Sequence, residues 1–194
     1  MSETKILPLR YWNDPILSNV CEPIADSGFG AELEEFGRQL LATMNAKNGV
    51  GLAAPQVGVA NRVFAMAFPD HQDREPIVVC NPELVLKGST VFGREGCLSL
   101  PGIYQQVYRA SASVVRYRKP DGTTAELDLT LWDARVAQHE FDHLNGIMFF
   151  NYLDKREEFG TDERGQPWRQ RMTKQMCKSV LREWDKVRDK YGND

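Results

Sequence analysis

The chain has 194 residues, a formal net charge of −3 and a hydrophobic content of 42%, which suits one domain with a sizeable core and room for an appendage. No apolar run approaches the ~20 residues that span a bilayer, so a membrane is not expected as a partner. The opening Met1-Ser2-Glu3-Thr4-Lys5 lacks both the basic-then-apolar order of a secretion signal and the Arg-rich character of a transit peptide.

The mildly acidic balance, without a long basic run, argues against nucleic acid as the main ligand. The cysteines are Cys21, Cys80, Cys97 and Cys177. None forms a C-x-x-C pair, and the chain is too large to need disulfide staples, so a reducing cytoplasm is the expected compartment.

In chain order, residues 31–47 predict an amphipathic helix, because Leu33, Phe36, Leu40, Leu41 and Met44 recur at three and four. Asn48-Gly49 ends it with a C-cap signal. The run Gly49-Val50-Gly51-Leu52-Ala53-Ala54-Pro55-Gln56-Val57-Gly58 is small and apolar. It is neither a phosphate loop nor a dinucleotide turn, and its small residues let another chain approach the backbone. His71 lies in a polar stretch and reads as solvated loop.

Strand signals follow at 63–68, 77–80 and 84–86, with an extended region at 103–108. Between them, Cys97 is flanked by Glu95-Gly96 and by Leu98-Ser99-Leu100-Pro101-Gly102, which predicts a specially shaped segment rather than a plain core strand. Cys80, in contrast, sits in an apolar run and reads as inert core. Residues 114–118 and 124–129 flank Pro120-Asp121-Gly122 as a hairpin.

A helix is then predicted over residues 131–144, stopping near Asn145-Gly146. Residues 156–167 read as a polar loop. From Trp168 to Tyr191 apolar residues recur at three and four, which predicts a long amphipathic C-terminal helix. The expected organisation is a catalytic domain over residues 1–155 and a loop plus helix over 156–194, packed on the same domain.

The helix over 131–144 carries Gln138-His139-Glu140-Phe141-Asp142-His143. Positions four apart on a helix share a face, so His139 and His143 can grip one metal ion. Glu140 projects beside them, within reach of the protons of an activated water. Trp132 and Val136 share the histidine face and read as an apolar wall or as ordinary core. Two histidines alone make a weak site. No histidine follows His143, so a third ligand is a carboxylate or lies upstream.

Three segments now stand together: Gly49–Gly58 with G-x-G-L-A-A-x-Q, Glu95–Ser99 with E-G-C-L-S, and Gln138–Leu144 with Q-H-E-x-D-H-L. In motif, order and spacing the chain resembles the peptide deformylases over roughly residues 7–155. The fold class that follows is α+β, with antiparallel sheets around a central metal-binding helix, an N-terminal helix and a long C-terminal helix.

The resemblance implies Cys97 as the third metal ligand beside His139 and His143. It points to Fe2+ as the ion, one per chain, with Zn2+, Ni2+ or Co2+ as substitutes. It implies removal of the N-terminal formyl group from formyl-methionine of nascent polypeptides. Glu140 would act as base, and the Gln56 amide and Leu98 N–H would stabilise the oxyanion.

Val50, Gly51 and Gly96 would offer backbone hydrogen bonds to an extended substrate, and Trp132 and Val136 would wall the pocket for its methionine side chain. Arg109 is expected to pair with Glu95 or Asp142 and so orient the histidines. The ribosome is a possible further partner and a monomer the expected assembly. One departure stands out: many family members carry glycine where Leu131 opens the helix.

Two other readings compete. An H-E-x-x-H metallopeptidase would need a downstream third ligand. A non-catalytic protein with a structural metal site would need a fourth protein ligand.

Overall fold

The computed structural model describes residues 4–152. The predicted loop over 156–167, Cys177 and the C-terminal helix lie outside the described residues. Helix α1 spans Ala31–Ala46 and buries Leu33, Leu40 and Met44, with Glu32 and Glu34 in its first turn, where acidic side chains suit the positive end of the helix. It ends as the sequence suggests. Asn48 takes a left-handed φ of 55°, its N–H bonds Asn45 O at 3.0 Å, and Gly49 N–H bonds Met44 O at 2.9 Å. This pair of bonds is a Schellman stop, and it delivers the chain directly into β1.

Among the described residues the strands form a five-stranded antiparallel sheet in the order β1 (Gly51–Ala53), β2 (Val63–Met66), β3 (Ile77–Cys97), β4 (Leu100–Arg118), β5 (Thr124–Thr130). Helix α2 spans Leu131–His143. Alternation on β2 divides the core. Phe64 and Met66 pack with Val79, Val115, Leu129, Ala134 and Ala137 on the α2 side. Val63 and Ala65 pack with Leu33, Leu40, Met44 and Leu52 on the α1 side. A strand buried on both faces carries no polar alternation.

The separate strand signals between residues 77 and 118 correct to two long strands joined at Leu98-Ser99. Their ladder shifts register between Cys80 and Glu83, between Lys87 and Thr90, and at Gly96–Cys97. Asn81 (φ 48°) and Gly88 (φ 75°) sit at the first two irregularities. Asn-Pro and Gly-Ser read as breaks in sequence, but a β-bulge absorbs them without ending the strand. The segment around Cys97 is the tip of this hairpin.

His71 lies in an exposed loop, as expected, and makes one contact that the sequence does not reveal. Its Nδ1–H donates to Asp133 Oδ2 at 2.6 Å, while Asp70 N–H donates to Asp133 Oδ1 at 3.1 Å and Trp132 N–H to Asp70 Oδ2 at 2.7 Å. The 70–71 segment thus satisfies the opening turn of α2, whose cap residue Thr130 makes no side-chain bond.

No loop separates β5 from α2. The chain turns at Leu131, which takes φ 48° and is 61% exposed. A bulky residue there is strained by its Cβ, at about 1–2 kcal/mol. Leu131→Gly is expected to raise stability by about 0.5–1 kcal/mol, the gain net of glycine's larger unfolded-state entropy. Urea denaturation checks this: an unchanged or lower midpoint contradicts it.

Candidate metal centre

The hairpin tip and helix α2 bring Cys97, His139 and His143 together. One ligand atom from each lies within 4.8 Å of the others, and among the described residues these form the group able to hold an ion. Cys97 Sγ is 3.3 Å from His143 Nε2. Both histidines are buried, and Cys97 is partly exposed. A thiol and two imidazoles fit a transition-metal ion such as zinc or iron and leave a coordination position open, as catalytic sites do. Two buried atoms here, Glu140 Oε2 and His143 Nδ1, have no hydrogen-bond partner, which is unusual for buried polar groups away from functional sites.

Behind the trio lies a charged network. His139 Nδ1 bonds Glu95 Oε2 at 3.0 Å, which leaves Nε2 as the ligating nitrogen. Arg109 holds Glu95 through Nε and Nη2, each at 2.9 Å, and Asp142 through Nη1 at 2.5 Å. The sequence left Arg109 a choice between these acids, and the structure joins it to both. Burial alone would raise the Glu95 pKa, but the Arg109 guanidinium overrides it and keeps the carboxylate well below its usual range. Burial would likewise depress His139, yet its bonds to Cys97 and Glu95 hold it well above its ordinary value. His143 is held well below by burial and by His139.

Glu140 is 4% exposed. Burial pushes its carboxyl up to about 7, against a smaller opposing pull from His139. A group titrating there can both take and give a proton near neutrality. Its side chain occupies the space above Gly51, where a Cβ would stand 2.7 Å from the Glu140 carboxyl carbon. The bareness of Gly51 therefore makes room for Glu140, a requirement within this chain that sequence reading assigned only to an approaching substrate.

Gln56 is 1% exposed. Its Oε1 accepts Ala53 N–H at 2.7 Å, which turns Nε2 toward Cys97 Sγ at 3.3 Å and Ser99 Oγ at 3.1 Å. Leu98 lies in the hairpin turn between them. A cleft of about 800 Å3 opens over Cys97 and His139 and is lined by Val50, Gly51, Gly96, Trp132, Val136 and Glu140. Among the described residues strand β1 is the sheet edge, and Gly51 on it lines the cleft. Trp132 is 48% exposed, whereas Val136 is 5% exposed and also packs into the core.

Sequence reading missed Arg135. It is buried, bonds Glu95 Oε1 at 2.7 Å and lines the same cleft. Its position one turn before His139 is the signal that could have found it. It missed Gln138 as well, whose amide spans to Ala110 N–H and Ala110 O at 3.0 and 2.9 Å and ties α2 to β4.

An α+β fold with a Cys-His-His centre and a buried carboxylate in an open cleft defines a metal-dependent hydrolase. The polypeptide deformylase family model matches residues 6–159. The Thermus thermophilus peptide deformylase is 39% identical over 170 residues, covering 79% of this chain and 86% of that protein. The Chlorobaculum tepidum peptide deformylase is 37% identical over 155 residues, covering 78% and 82%. Among solved structures, a Legionella pneumophila peptide deformylase superposes with a TM-score of 0.79 at 28% identity, covering 98% of this chain and 99% of that one. A Met-Ala-Ser-bound class I type b peptide deformylase from Acinetobacter baumannii gives 0.68 at 34% identity, covering 76% and 98%. The chain belongs to the polypeptide deformylase family, whose members remove the N-terminal formyl group of newly made polypeptides by metal-dependent hydrolysis.

Proposed function

We propose that Cys97, His139 and His143 hold one Fe2+ per chain, and that Glu140, Gln56 and Leu98 carry out the deformylation around it. The observation that carries this reading is the trio's convergence within 4.8 Å beside the buried, unpartnered Glu140 oxygen. When bound, the ion supplies Lewis acidity that polarises the formyl oxygen and acidifies water. Glu140 takes the proton as water adds to the formyl carbon. It then returns a proton to the methionine nitrogen as the C–N bond breaks, leaving formate and a free amine. The Gln56 Nε2–H and the Leu98 N–H donate to the oxygen on which charge develops.

Val50, Gly51 and Gly96 align the peptide as an added strand along the β1 edge. Trp132 and Val136 wall the pocket for the first side chain. The Met-Ala-Ser-bound Acinetobacter baumannii relative supports a peptide ligand of this kind. Residues 1–155 make the catalytic unit and 156–194 its appendage. The protein works as a cytoplasmic monomer on nascent chains at the ribosome. Zn2+, Ni2+ or Co2+ can substitute for iron, since imidazole and thiolate accept all three.

The iron assignment is tested by air. Activity decay is compared for iron, nickel and zinc forms prepared anaerobically, each with its metal content measured. The iron form is expected to fade first, because O2 can oxidise Fe2+ and the Cys97 sulfur, while nickel and zinc resist one-electron oxidation. Equal decay in all three would exclude iron oxidation as the cause.

A further inference from the structure

The rim of the cleft carries a charge that the reaction above leaves unused. On β3, Glu95 turns toward α2, where it bonds His139 Nδ1 at 3.0 Å and accepts Arg109 Nε–H at 2.9 Å. Side chains alternate along a strand, so Arg94 and Gly96 face the opposite side of the hairpin. There Tyr104, paired with Gly96 across the ladder, lays its ring over the bare glycine: a Cβ on Gly96 would stand 2.6 Å from Tyr104 Cε1. The Arg94 guanidinium stacks on the same ring, 4.2 Å from its centroid. Arg94 is exposed, Tyr104 is 54% exposed, and both line the cleft together with Gly96. Among the described residues no carboxylate forms an ion pair with Arg94. The acids of the cleft lining, Glu95 and Glu140, are both buried, and Glu95 is already paired with Arg109 and Arg135. The cleft therefore opens to solvent past a cation, with no exposed acid in its lining.

We propose that Arg94, set in place by Tyr104, determines specificity for the second residue of the formyl peptide and selects an acidic side chain there. The inference rests on the deformylase reading and on the extended peptide proposed along Gly51 and Gly96. In that pose the first side chain points toward α2, into the pocket walled by Trp132 and Val136. The second points to the opposite face, which is the face of Tyr104 and Arg94. The second Cα of an extended peptide lies roughly 6 Å from the formyl carbon. Arg94 stands three positions before Cys97 on the same strand, roughly 10 Å along it, so its long side chain spans the remainder. An Asp or Glu at the second position meets a guanidinium able to bond a carboxylate through two N–H groups. A Lys or Arg meets a like charge. Stacking on Tyr104 holds the guanidinium in place, which reduces the side-chain ordering that an exposed ion pair otherwise costs.

The test measures kcat and KM for formyl-Met-Asp-Ser, formyl-Met-Asn-Ser and formyl-Met-Lys-Ser with wild type, Arg94→Gln and Arg94→Glu, each with metal content measured. The wild-type Asp-to-Lys ratio of kcat/KM is expected to be about fivefold, the scale of one exposed attraction against one exposed repulsion. The difference should lie in KM rather than kcat, because the contact is the same before and during reaction. The ratio should shrink toward one as salt rises from about 0.02 M to about 0.5 M, since salt screens exposed charges. Arg94→Gln is expected to bring it toward one and Arg94→Glu to invert it, with the Asn peptide between the other two in each protein. Tyr104→Leu keeps an apolar cover on Gly96 but frees the guanidinium, and is expected to lower the ratio without inverting it. A wild-type ratio at or below one, a wild-type ratio indifferent to salt, or a ratio in Arg94→Glu within about 1.5-fold of wild type overturns the proposal alone. The first two of these need no variant to fold. Failure of wild type to release formate from any of the three peptides overturns the deformylase reading and this proposal with it.

Discussion

Cys97→Ala is expected to leave the purified protein largely free of metal and inactive. Cys97 is the one ligand that the hairpin contributes, and its Sγ stands 3.3 Å from His143 Nε2. Removing it leaves two imidazoles on a single helix, which hold an ion from one side only. Because ligand loss here does not disturb the α2 core around Ala134 and Ala137, the variant should remain folded. Elemental analysis after gel filtration reads the result. Stoichiometric metal in Cys97→Ala would remove Cys97 from the ligand set, and an unfolded variant would be recognised by loss of its cooperative melting.

Glu140→Ala is expected to behave oppositely, keeping its metal while turnover falls by about 10²–10⁴, the range for a lost general acid–base group. A turnover near that of the parent would exclude Glu140 as the proton carrier. The same carboxyl has a second, independent signature in the metal-free protein. Burial raises its pKa from the ordinary glutamate value of 4.5 to about 7, so between those values the folded state binds a proton that the unfolded chain has released. Stability contributed by this group therefore falls as pH rises through the window, by about 3 kcal/mol in all. Glu140→Gln, which cannot ionise, should flatten that slope when metal-free stability is measured from about pH 4.5 to about pH 8.

The parts of the site legible in sequence were those whose chemistry is written locally. His139 and His143 share a helical face by spacing alone, and the stop at Asn48-Gly49 is a matter of backbone conformation that asparagine and glycine advertise. Cys97 was marked by its neighbours only as part of a specially shaped segment, and it entered the ligand set through the family resemblance, because a lone cysteine reads as core. What stayed hidden depended on contacts distant in sequence. Arg135 reads as a solvated helix charge until Glu95 and the carbonyls of Val91, Gly93 and Val107 are folded over it. The loop reading of His71 holds, but its bond to Asp133, 62 residues away, stayed hidden. The hairpin of β3 and β4 was fragmented because bulges at Asn81 and Gly88 carry the same residues as turns. Gly51 was assigned to substrate approach, since nothing in sequence reveals that Glu140 fills the space above it.

Release of formate tests the central claim most directly. Anaerobically prepared, metal-assayed enzyme is given formyl-Met-Ala-Ser and acetyl-Met-Ala-Ser, and formate and free amine are quantified together. The account predicts one equivalent of formate per amine from the formyl peptide, turnover that scales with bound metal, and little release from the acetyl peptide. Free amine without formate, peptide-bond cleavage in place of deformylation, or equal rates with and without metal would contradict it.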